Sequence, residues 1–276
     1  MLNRFGQAMM VLSFLGAKPA SADCGAVDFL SLALPDVVKH PIGTALELAY
    51  FGLDVSDDGK IVRLEDGTTL KIGLDGNRTP QLRLVEATIA EQFHDRYPLQ
   101  FDLEARKKPY FDPGRARNDA FFKALYFPNK SSARASLRLI RGPEPLGAKF
   151  YMTLRRNVAC QLAKALEEIA KTRYVNNPIF QNVGGSFSWR KISGTNRLSA
   201  HSFGIAFDVN AQLGGYWRWS GEVEGQVEEY DNNLPAEVVG IFERYGFIWG
   251  GKWHHYDGMH FEYRPELILY ARIVVR

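Results

Sequence analysis

The pattern of apolar and polar positions changes character along the chain. Residues 27–34 and 42–51 space their apolar side chains as two short helices, and residues 60–64 and 69–72 flank Asp66-Gly67 as a hairpin. Between residues 80 and 147, helical pieces are interrupted at Pro109, Pro113, Gly114, Pro128, Pro143 and Pro145. That stretch reads as an irregular elaboration rather than a catalytic unit. The pattern sharpens from Tyr151, because Val158, Leu162, Ala165, Leu166 and Ile169 recur at helical spacing in a run without Gly or Pro. Residues 180–189 then look extended, with Gly184-Gly185 marking a turn or a close backbone approach.

In the next segment Ile205, Phe207 and Val209 alternate with Gly204, Ala206 and Asp208, a period of two. The apolar set is predicted to face the core. Asp208 then shares its face with two small residues that leave room beside its carboxylate. Residues 211–231 read as a loop carrying Tyr216, Trp217 and Trp219 and then an acidic stretch; it either walls a cleft or packs as a surface aromatic cluster. Pro235 opens a helix with Val239, Phe242 and Tyr245 on one face, Gly246 ends it, and residues 259–263 form a closing strand. The expected fold is α+β, a small antiparallel sheet with helices packed on it, preceded by an irregular N-terminal extension. The expected division is a leader at 1–22, an extension of unassigned role at 23–150 and a catalytic domain at 151–276.

Composition narrows this picture. At 276 residues, 46% hydrophobic and 24% charged, the chain can bury a sizeable core. Arg4, the apolar run 9–17 and Ala20-Ser21-Ala22 read as a secretory signal cleaved before Asp23. The apolar run is shorter than the ~20 residues a bilayer span needs. A periplasmic or secreted protein with no transmembrane segment in its mature chain is expected. Cys24 raises a lipoprotein signal, to which Asp23 is a poor fit. Without Arg4 and Lys18 the formal charge falls from +3 to +1, so nothing points to a nucleic-acid partner. Arg106-Lys107-Lys108 and Arg155-Arg156 read as solvated faces. The two cysteines, Cys24 and Cys160, exclude thiolate zinc clusters and Cys-x-x-Cys chemistry. They either pair in an oxidising compartment or stay as two thiols. The oligomeric state is unassigned, with a monomer as the default.

The candidate chemistry lies in two segments, Ser199 to Asn210 and Asp257 to Glu262, which supply two imidazoles and carboxylates able to share a cation. Three protein ligands with an open fourth position are the inventory of a hydrolytic zinc site. His201 and Asp208 are seven apart and would point to opposite faces of one continuous strand, so His201 is expected on a loop before Gly204. His260 is the natural third ligand. Glu262, two positions on, either orients a ligand imidazole or is a solvent-facing strand residue. Asp257 sits at an odd offset from His260, and Gly258 is expected to permit a bend that brings the carboxylate over the open metal position as a base. His254 and His255 are expected near the mouth of the site as non-ligands.

The runs SFSWRKISGTNRLSAHSFGIAFDVN and WGGKWHHYDGMHFEYRPEL resemble the zinc D-alanyl-D-alanine carboxypeptidase family, which includes vancomycin-resistance-type D,D-peptidases and phage L-alanyl-D-glutamate endopeptidases. The resemblance covers roughly residues 180–270. It implies one Zn²⁺ ion held by His201, Asp208 and His260, Asp257 as catalytic acid/base where several relatives use Glu, and a peptidoglycan peptide as substrate. It also implies an arginine upstream of the first histidine on the substrate carbonyl or oxyanion. Arg190 fits that position best, with Arg197 as competitor. Ser199 matches the family's serine before the histidine. Alternatives are an endopeptidase acting on a cross-link or L-Ala-D-Glu bond, and a non-catalytic zinc-stabilised binding module.

Overall fold

The computed structural model describes residues 24–192 and 195–276, so the expected leader at 1–22 lies outside the described residues. Helix α1 (Pro41–Ala49) precedes a three-stranded antiparallel meander, β1 (Asp54–Val55), β2 (Ile61–Arg63) and β3 (Thr69–Lys71). Val62 pairs with Leu70 across the expected hairpin. Three short helices follow: α2 (Pro80–Val85), α3 (Asp119–Leu125) and α4 (Lys130–Ala135). Each starts where Thr79, Asn118 or Asn129 accepts a hydrogen bond from a first-turn backbone N–H, which fixes the helix start in a proline-broken sequence. Strands β4 (Leu137–Arg141) and β5 (Lys149–Thr153) form a second hairpin, and α5 (Val158–Ile169) carries the strong helical pattern.

The central sheet is built from β6 (Val183–Gly185), β7 (Ala206–Asn210), β8 (Phe247–Trp249) and β9 (His260–Tyr263) in the order β6-β7-β9-β8, antiparallel throughout. Helices α6 (Ala211–Gly214), α7 (Ala236–Arg244) and α8 (Pro265–Val274) complete the α+β fold. The sheet's inner face is aromatic. Phe207 stacks on Phe261 at 5.3 Å between ring centroids, and Phe242 of α7 meets them at 5.1 and 4.6 Å. Phe150 of β5 closes on Phe207 at 4.8 Å. Ile205, Phe207 and Val209 are fully buried, as their alternation predicts. Burial of each such side chain contributes roughly 1.5–3 kcal/mol, which is what holds β7 and β9 in register.

Two expectations are corrected. Residues 27–34 are not a helix but a turn at 29–31. Asp28 Oδ1 accepts from the Leu30 and Ser31 N–H groups at 2.9 and 3.0 Å, and the Phe29 N–H donates to the Arg244 carbonyl at 2.8 Å. Beyond a single helical-type bond from the Leu32 N–H to the Asp28 carbonyl at 2.9 Å, local and tertiary partners take the place of a helix. Tyr151 lies on β5, opposite Leu139, and the helix expected from the spacing of Val158 to Ile169 spans those residues. Arg106 is not on a solvated face: it is buried, with its guanidinium 4.1 Å from the Tyr230 ring centroid, where a cation can rest on a π face. Lys107 and Lys108 are exposed as expected.

Cys24 and Cys160 form a disulfide with an S–S distance of 2.01 Å. The bond fixes the start of the described chain to α5, and Gln161 on the same helix bonds both the N–H and the carbonyl of Val27. No helix among the described residues is long and apolar enough to cross a membrane.

Candidate metal centre

The ligand cluster follows from strand register. Asp208 on β7 pairs directly with His260 on β9, and Ala206 pairs with Glu262, so all four project from one face while Phe207 and Phe261 project from the other. His201 reaches the same face from a short 3-10 turn, Ala200–Phe203. Gly204 ends that turn at φ +67°, a left-handed conformation in which a Cβ would also crowd Leu137 at 2.7 Å. The expected break before β7 is therefore present.

His201 Nε2, Asp208 Oδ1 and His260 Nδ1 lie 2.9 to 3.2 Å apart. Ligand atoms ~2.0–2.1 Å from a tetrahedral ion would sit ~3.3–3.4 Å from one another, so the trio fits a zinc-sized cation with little adjustment. The remaining ring nitrogens are tied down. His201 Nδ1 donates to the Ser186 carbonyl at 2.6 Å, and His260 Nε2 donates to Glu262 at 3.2 Å. These bonds fix the tautomers that turn the other nitrogen toward the ion. Glu262 is fully buried rather than solvent-facing. Burial works to raise its pKa, but Arg117, the His260 hydrogen bond and Arg264 outweigh it and hold the carboxyl well below its ordinary range. Asp208 is held low in the same way by His201 and His260, against its burial.

Asp257 lies outside β9, in a bridge to Tyr216, and its carbonyl accepts from the His260 N–H at 3.1 Å to close the intervening turn. The turn needs glycine for a reason other than bending. A Cβ at Gly258 would fall 1.6 Å from the Gly214 carbonyl oxygen, so this residue lets two backbone segments touch. Asp257 Oδ1 is buried without a hydrogen-bond partner among the described residues. Burial pushes its pKa up to about 6, with Asp208 adding to the rise and His260 opposing it. A carboxyl poised near neutral pH beside a ligand cluster can both take and return a proton.

The cluster opens into a cleft of about 470 Å³ that is also lined by Asp257, Arg190, Arg197 and Ser199. The two candidate arginines differ sharply. Arg190 is exposed at the rim, whereas Arg197 is 6% exposed. Ser199 is buried and donates its N–H to the Arg190 carbonyl at 3.0 Å. Tyr216 and Trp217 wall the cleft, while Trp219 is exposed outside it.

His254 and His255 are buried beside the cleft and stand outside the ligand cluster. Their Nδ1 atoms face the Arg106 carbonyl at 2.9 Å and Asp112 at 2.6 Å. Their Nε2 atoms accept the N–H groups of Val227 at 3.3 Å and Gly225 at 2.9 Å. Both imidazoles thus suspend the acidic loop.

Sequence reasoning missed Asp112, Arg115 and Arg117. Arg117 contacts Glu262 at 2.7 Å, and Asp112 joins Arg115 to His255 at 2.7 and 2.6 Å. No periodicity surrounds these residues, and although Arg115 pairs locally with Asp112, the partners that tie the segment to the site, Glu262 and His255, lie 145 and 143 positions away, so nothing local marks its role.

No curated protein and no solved structure matches the chain. A family model described as D-alanyl-D-alanine carboxypeptidase matches residues 193–263, a stretch that contains His201, Asp208, Asp257, His260 and Glu262. Over that stretch the chain is similar to a peptidase family that is zinc-dependent in general, and the resemblance carried by its two motif segments is upheld.

Proposed function

We propose that this protein is a secreted or periplasmic zinc peptidase that hydrolyses an amide bond in peptidoglycan stem peptides, of the D-Ala-D-Ala carboxypeptidase type. The observation that carries this reading is the join of three ligand atoms on one sheet face with an unpartnered carboxylate in the same cleft. His201, Asp208 and His260 would hold one Zn²⁺ ion. When bound, that ion supplies Lewis acidity that polarises a carbonyl and lowers the pKa of a water.

Asp257 takes the proton of the attacking water and returns it to the departing amine, a double role that its raised pKa favours. Arg190 at the cleft rim presents its guanidinium to the oxygen on which negative charge develops. Ser199 and the aromatic wall of Tyr216 and Trp217 shape the peptide's path. A closed structural zinc site would have four protein ligands and no use for such a base, which disfavours a purely binding role. The Cys24–Cys160 disulfide supports an oxidising compartment.

The test is digestion of purified muropeptides by the full chain, with and without a chelator, and identification of the products by mass. Chelator-sensitive loss of a single C-terminal residue is expected. An internal cut would reassign the bond, and no chelator-sensitive product would end the peptidase reading.

A further inference from the structure

The cleft holds a charge imbalance that the hydrolytic residues do not use. Arg115, Arg117 and Arg197 line it together with the ligand cluster. Arg115 is paired with Asp112, and Arg117 with Glu262, each at 2.7 Å. Arg264, just behind, is ion-paired with Glu262 at 3.1 Å and Glu266 at 2.5 Å, although its buried Nη2 has no hydrogen-bond partner among the described residues. Arg197 has no carboxylate partner among the described residues. Its Nη1 donates to the Arg115 carbonyl at 2.9 Å, and its buried Nε meets no acceptor.

Burial and then the neighbouring Arg117 and Arg115 push the Arg197 pKa down to about 9, which still leaves it charged at neutral pH. A nearly buried guanidinium with an unmet donor is unfavourable unless an anion comes to it. The planar fork of a guanidinium matches a carboxylate with two parallel hydrogen bonds. Arg117 also touches Glu262, which touches His260, so the cationic end of the cleft lies within two side-chain contacts of the ligand cluster.

We propose that Arg197, flanked by Arg115 and Arg117, is a carboxylate subsite that takes the free C-terminal carboxylate of the substrate. Anchored there, a peptide would lay the bond before its last residue across the ligand cluster and Asp257. The inference rests on the peptidase reading and narrows it to substrates that end beside the scissile bond. Two of the three arginines precede residue 118 and lie outside the stretch that matches the family model, so the subsite is largely a contribution of the N-terminal region.

The test is a calorimetric titration of the chelated full chain, which reads binding without turnover. The probes are a synthetic stem peptide ending in D-Ala-D-Ala and the same peptide as its C-terminal amide. The acid is expected to bind at least about tenfold more tightly than the amide, and Arg197→Gln is expected to bring the two within about twofold. Arg197→Lys should keep part of the preference. Equal affinity of acid and amide in the unaltered chain overturns the subsite, as does failure of the acid to bind, and neither result depends on a variant folding. A preference that survives Arg197→Gln overturns the assignment to Arg197. The peptidase reading fails separately, by absence of chelator-sensitive muropeptide products, and can fail while the acid preference stands.

Discussion

One wall of the cleft is a hydrogen-bonded ladder and the other is an irregular segment held by pairs of charged and polar side chains. On the ladder, Asp208 and His260 are partners in register on β7 and β9, backed by Phe207, Phe261 and Phe242. Across from it, residues 106–117 have no strand and are fixed by Asp112 to His255, Arg115 to Asp112 and Arg117 to Glu262. The difference matches the demands on each side. Ligand atoms must be placed within a few tenths of an ångström, which a packed sheet face can do, while a charged substrate group is met by guanidinium forks on a chain path that need not be regular.

The largest effect expected on this contrast is at Asp257, on the ladder side. Asp257→Ala should keep its zinc and lose about 10²- to 10⁴-fold in turnover, measured by metal analysis beside a muropeptide assay. Unchanged turnover would remove the residue from the chemistry. Glu262 joins the two walls, because it accepts from His260 and is paired with Arg117. Glu262→Gln should weaken zinc binding by about 10- to 100-fold in competition with a chromophoric chelator. An unaltered affinity would show that the two walls are not coupled through it.

A smaller effect concerns the frame on which both walls rest. Cys24→Ser opens the disulfide to α5 and should cost about 2–5 kcal/mol in denaturant unfolding while leaving the ligand cluster intact. A change near zero would mean that the bonds of Gln161 to Val27 already hold that end of the chain.

The smallest effect is a pH response at the loop hung from the irregular side. Burial lowers the His254 pKa, only partly opposed by its bond to the Arg106 carbonyl, so the fold favours the neutral ring. The ring's contribution is complete above the ordinary histidine range of ~6.5 and is lost as pH falls below it. Protonated Nε2 cannot accept from Val227. Exchange of the Val227 amide, corrected for intrinsic rate, should accelerate on acidification, whereas constant protection would show that the imidazole does not hold the loop.

The same contrast explains what the sequence made legible. The period-two pattern around Asp208 and the spacing to His260 and Glu262 translate directly into one strand face, so the ladder side could be read residue by residue. His201 could be placed because Gly204 announced a break. The role of Gly258 was half legible: a special backbone was expected, but its cause, contact with the Gly214 carbonyl, is a tertiary fact. Arg115 and Arg117 carried no signal, because their meaning comes from Asp112, Glu262 and Arg197 and from no local period. Arg106 misled for the same reason, since a basic run looks solvated until Tyr230 and Tyr256 fold over one of its members. The turn at 29–31 hid behind an apolar spacing because Asp28 and Arg244 supply hydrogen bonds that a helix would otherwise have made.

The most direct test of the central claim is X-ray absorption at the zinc edge of the purified full chain, combined with metal content. One zinc per chain with two imidazole nitrogens and oxygen ligands at about 2.0–2.1 Å, lost in Asp208→Ala, is the predicted result. A chain that holds no zinc, or one whose zinc has a shell closed by four protein ligands, would contradict it.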